Sequence, residues 1–199
     1  MSKPEIALIY EDTLPKDLFQ DFEDSILDER LTIKVQSRPP IGPQASLEWF
    51  VLPLVAAYIS KPYFDGFFGE MGKDHYRLLK QKLFETSKKV MSKPRIEPTL
   101  IGSTGKLKKN NPYTSAFSIY ADANERIKFK LLIPKHTDDN NYKEIVDIFL
   151  DFLMDYHCDA KPLTSIGFDL STPPLGGLIL VQVNQQTKCV EWRDPMQIK

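Results

Sequence analysis

The chain has 199 residues, 42% of them apolar and 27% charged, with a net charge of −1. Those proportions belong to an ordinary globular protein and exclude a low-complexity or strongly polyionic chain. At this length about 70% of the unfolded surface can be buried without a disulfide or metal staple. The two cysteines, Cys158 and Cys189, form neither a CxxC pair nor a zinc spacing, which suits a reducing compartment.

The opening, MSKPEIALIYEDTLPKD, has only a five-residue apolar stretch before its acidic residues, shorter than a secretory core. The expected location is therefore cytoplasmic. Ile6, Leu8 and Tyr10 lie in a short β-prone run that predicts a buried strand. Residues 15–28 predict a helix, with Pro15 in its first turn and Leu18, Phe22 and Ile26 on one apolar stripe. Leu31, Ile33 and Val35 alternate with polar residues as in a half-buried strand, which the prolines of residues 37–44 should end.

From Trp49 to Ile59 eleven residues carry no charge and no strongly polar side chain. A membrane span needs about 20. The expectation is a buried core helix, kinked at Pro53 and broken at Pro62, with membrane docking by residues 47–68 as the alternative. In YFDGFFGEMG (63–72), Tyr63, Phe64, Phe67 and Phe68 surround two glycines and are candidates to line a pocket or partner groove. Residues 70–91 predict a further helix, with Tyr76, Leu79, Leu83 and Val90 on one face.

Beyond it, residues 95–102 resemble an edge strand and 102–112 a loop. The GSTGK within that loop departs from a phosphate loop, which needs four residues between its glycines and a hydroxyl after the lysine. Residues 115–121 and 126–134 predict a β-hairpin, with Ile127, Phe129 and Leu131 alternating. Tyr142, Ile145, Val146, Phe149, Phe152, Leu153 and Tyr156 predict an amphipathic helix, and residues 176–183 and 188–192 a second hairpin. The order gives an α+β class: N-terminal β-α-β, a long proline-broken central helix, then hairpin, helix and hairpin. A division into 1–92 and 93–199 is one organisation and a single domain 1–199 the other.

Charge is segregated along the chain. Residues 1–72 hold six Lys/Arg against twelve Asp/Glu, a balance of −6; residues 73–109 hold eleven against three, +8; residues 110–199 hold nine against twelve, −3. Lys88, Lys89, Lys93, Arg95, Lys106, Lys108 and Lys109 could together meet an anionic ligand, nucleic acid included, or a protein partner. Asp147, Asp151 and Asp155 repeat every fourth residue, which places them on one helix side as a solvated stripe rather than around a metal. His75 and His157 sit on predicted helices beside sequential carboxylates that diverge from them, and His136 precedes a cap. No catalytic motif is present, and neither cofactor nor metal is expected. The sequence thus points to a non-catalytic binding or regulatory module with a basic, aromatic-flanked surface. An enzyme without a linear motif is the third possibility.

Overall fold

Ile6, Leu8 and Tyr10 all point to one side of strand β1 (Ile6–Glu11), and this two-residue period organises the molecule. A computed structural model of the chain describes residues 3–41, 48–66, 70–92, 111–135 and 139–197. Around β1 stand β2 (Ile33–Arg38), β3 (Val55–Ile59), β4 (Phe117–Asp122), β5 (Lys128–Leu131), β6 (Leu178–Asn184) and β7 (Cys189–Trp192). They make one mixed sheet in the order β2-β1-β3-β4-β5-β6-β7. Parallel pairs (β1–β2, β3–β4, β5–β6) alternate with antiparallel ones.

A parallel pair needs a crossover, and each one contains helix. Helix α1 (Asp17–Ile26) joins β1 to β2, α2 (Lys61–Asp65) and α3 (Glu70–Met91) lie between β3 and β4, and α4 (Asp139–His157) lies between β5 and β6. Phe19 and Phe22 of α1, Leu79 and Leu83 of α3, and Phe149 and Phe152 of α4 meet Leu8, Ala57, Ile119, Phe129 and Val181 in one buried core. The class is α+β, as the order of elements predicts. The sheet includes strands from both sides of residue 92.

One expected element differs in type. Residues 49–59 are not a kinked helix: Glu48–Phe50 form a single 3-10 turn, and Val55–Ile59 are strand β3 at the heart of the sheet. The reason is that both faces of this strand are apolar: outward-facing Ala56 is fully buried and Tyr58 half-buried, so no polar residue marks the two-residue period. A short apolar run of this kind imitates a core helix. Pro53 and Pro62 bound this run, leaving a length that suits a strand. Trp49, Leu54, Val55, Ala56, Ala57 and Ile59 are buried, Phe50, Val51, Leu52 and Tyr58 half-buried, and no described helix is long and apolar enough to cross a membrane. Strand β2 also runs three residues beyond Val35, to Arg38, before Pro39 and Pro40.

Candidate functional site

Helices α1, α3 and α4 occupy one face of the sheet. The other face begins with Ala7 and Ile9 of β1, Lys34 and Gln36 of β2, Tyr58 of β3, Tyr120 and Asp122 of β4, and Lys128 and Lys130 of β5. Its β5–β6 end is covered by the strap at residues 48–53. Trp49 meets Tyr113 edge-on at 5.7 Å and shares a small second core with Leu132 and Leu180. Over the β1–β4 end no described helix lies. There the face forms a concave site of about 240 Å³ with Ala7, Ile9, Tyr58 and Tyr120 among its apolar lining.

Register brings five residues into one row across five adjacent strands: Lys34, Ala7, Tyr58, Tyr120 and Lys130. The rings of Tyr58 and Tyr120 are stacked, with centroids 4.8 Å apart and planes 15° apart. The Lys130 ammonium lies 5.4 Å from the Tyr120 ring centroid. Burial raises both phenols, Tyr58 to about 12, so each hydroxyl stays protonated at neutral pH. Ala7 leaves a gap in this row between the Tyr58 ring and Lys34.

Beside this row lies a second, charged one. Asp122 receives Lys128 at 2.7 Å and Lys3 at 2.5 Å. Burial works to raise its carboxyl, but the two ammonium groups outweigh that and hold it below the usual carboxylate value. The Ser60 hydroxyl also lines the site; it is 3% exposed and its Oγ has no hydrogen-bond partner. Lys130 itself is buried under the strap, where its ammonium donates to the carbonyls of Trp49 (2.6 Å) and Val51 (3.0 Å). Burial pulls its pKa down to about 7.

Of the residues singled out by sequence, Tyr63 and Phe64 are buried in the core, 4% and 2% exposed, and present no ring to a ligand. The Tyr63 hydroxyl donates to His75 Nδ1 at 3.1 Å, and His75 Nε2 donates to the Ile26 carbonyl at 2.8 Å. Both nitrogens of His75 are thereby engaged in holding α3 to α1 and α2. Phe64 stacks on His157 at 4.4 Å, and His157 Nε2 donates to the Asp122 carbonyl. Lys89 reaches Asp21 of α1 at 3.3 Å, and Lys88 is exposed on α3. Phe67, Phe68, Lys93, Arg95, Lys106, Lys108, Lys109 and His136 lie outside the described residues, as do the strand expected at 95–102 and nearly all of the loop at 102–112.

The three aspartates of the expected stripe on α4 are paired with lysines: Asp147 with Lys143, Asp151 with Lys80 of α3, and Asp155 with Lys161. Among the described residues no cluster of three or more His, Cys, Asp or Glu side chains is placed to hold a metal. Cys158 and Cys189 are both free and exposed.

Tyr58, Tyr120, Lys34 and Lys128 are not among the candidate site residues read from the sequence. A usable signal existed in RIKFKLL, where Lys128 and Lys130 alternate with Ile127, Phe129 and Leu131 and so must face the side away from the core. The chain matches no protein-family model, no curated protein and no solved structure.

Proposed function

We propose that the chain is a non-catalytic binding or regulatory module that takes up an anionic ligand on the face of its sheet over which no described helix lies. One observation carries this: among the described residues that line an apolar concave floor, three are lysines, Lys3, Lys34 and Lys128, and one is a carboxylate, Asp122. The surplus is two positive charges. A recess of this kind, apolar with a few polar groups at its edge, is the usual form of a small-ligand site. Both lysine partners of Asp122 remain partly accessible, with side chains 59% and 33% exposed, so each can turn a proton donor towards an anion. Among the described lining residues no nucleophile is paired with a base, which favours binding over catalysis.

The basic surface of this proposal thus moves from the end of α3 to the sheet. The test is calorimetric titration with inorganic pyrophosphate and ribose 5-phosphate at low and moderate salt. Salt-dependent binding should weaken at least tenfold in the Lys34→Glu/Lys128→Gln variant. Binding that ignores both salt and these substitutions, or no binding by any anion tried, would overturn the proposal.

A further inference from the structure

The site has a shape as well as a charge. In the row Lys34–Ala7–Tyr58–Tyr120–Lys130, four positions carry long side chains and one carries a methyl group. Tyr120 uses one face of the Tyr58 ring. Strand β3 lies between β4 and β1, so the opposite face of that ring looks towards β1, over Ala7. Ala7 is only 8% exposed, at the bottom of the recess rather than on its surface.

We infer that the ligand carries a flat aromatic ring, which seats over Ala7 against the open face of Tyr58 with its charged group among Lys3, Lys34 and Lys128. This deepens the anion-binding proposal and rests on it. Three features of the recess favour a ring. Stacked aromatic faces attract a further ring, and Tyr58 already stands fixed by Tyr120, so little side-chain freedom is lost on binding. The Ser60 hydroxyl, buried and unpartnered beside the slot, offers a hydrogen bond to a ring heteroatom or exocyclic group. An unpaired buried hydroxyl is costly, and a ligand that satisfies it recovers that cost. Gln36 adds an amide with both donor and acceptor to the lining.

The chemical class is a nucleotide-like aromatic anion: a heteroaromatic ring joined to phosphate or carboxylate. The volume of about 240 Å³ holds one ring and part of what it bears. It lies below the roughly 300 Å³ at which drug-sized pockets begin. The surplus of two charges likewise suits one small anion better than a strand, which is held by several cations along a groove.

The experiment compares 5′-mononucleotides with ribose 5-phosphate, which keeps the charge and lacks the ring, on the full chain and three variants. Mononucleotides should bind at least tenfold tighter than ribose 5-phosphate. Ala7→Leu, which fills the slot, and Tyr58→Leu, which keeps apolar bulk without a ring face, should each abolish that preference and leave ribose 5-phosphate binding in place. Ser60→Ala should weaken mononucleotides several-fold and ribose 5-phosphate not at all. Thermal melts verify folding, and Tyr58→Leu decides the matter if Ala7→Leu does not fold. Equal, lysine-dependent binding of both probes would overturn the ring slot and leave the anion site standing. A single-stranded oligonucleotide binding far more tightly than any mononucleotide would overturn the small-ligand assignment. Failure of every anion, as above, would remove both.

Discussion

Lys130 should make the protein's stability depend on pH in a direction opposite to that of a paired lysine. The residue is 5% exposed, and burial lowers its pKa from the ordinary 10.5 to about 7. Between those values the unfolded chain binds a proton that the folded chain does not, so stability rises with pH across the window and the deficit is full below it. The shift corresponds to about 5 kcal/mol at full protonation, and integration from pH 7 to pH 9 gives a gain of about 2 kcal/mol. The carbonyls of Trp49 and Val51 and the Tyr120 ring oppose the loss of charge, so 2 kcal/mol is an upper figure. The perturbation is Lys130→Met, which keeps length and removes titration. Urea unfolding of wild type and variant at pH 7, 8 and 9 measures the difference between their profiles, cancelling every other titrating group. The wild-type curve should climb relative to the variant by 1 kcal/mol or more, given as about half of that bound. The level of the variant's stability is not diagnostic, because the substitution also strands two carbonyls. Parallel profiles would refute a proton-poor Lys130.

Two further outcomes follow from local geometry. Gly177 enters β6 with φ +70°, and a Cβ there would sit 2.9 Å from the Arg126 carbonyl oxygen, whereas at Gly66 a Cβ meets nothing within 4 Å. Gly177→Ala should therefore cost about 2 kcal/mol or more, lowering Tm by roughly 4–8 °C, with Gly66→Ala as a near-neutral control; equal melts would contradict this. Burial lowers the pKa of His157, opposed by its bond to the Asp122 carbonyl, with Lys61 lowering it further and Asp65 and Asp122 raising it. Since the folded value lies below the unfolded one, stability should fall as pH drops from the unfolded pKa through the folded pKa. His157→Gln should flatten that acid-side loss when unfolding is compared at pH 7.5 and pH 5, and an unaltered loss would show that the histidine is not responsible.

Much of the fold can be read from residue spacing because most elements have one buried face. Leu79, Leu83 and Val90 declare α3, and Phe149, Phe152 and Leu153 declare α4, since a stripe of core residues recurs at the helical period. Strand β3 hides because Val55, Ala56 and Ala57 are all fully buried, so no polar face marks its period. The site hides for a different reason. Ala7, Lys34, Tyr58 and Tyr120 are far apart in the chain and meet only through strand order and register, which no local pattern encodes. Tyr63 and Phe64 illustrate the converse: a dense aromatic cluster in sequence looks like a surface feature, yet here it closes the core around His75 and His157.

The two-sided sheet has a consequence for how this protein can change. Along β1, Ile6, Leu8 and Tyr10 pack against the helices, whereas Ala7 and Ile9 line the recess. Neighbouring codons therefore come under separate selection. One register of each strand is constrained by folding, and the interleaved register is free to drift towards a new ligand. Substitutions at Ala7, Lys34, Tyr58 or Lys128 could retune recognition while the packed side stays as it is, which makes the recess a natural starting point for engineered specificity.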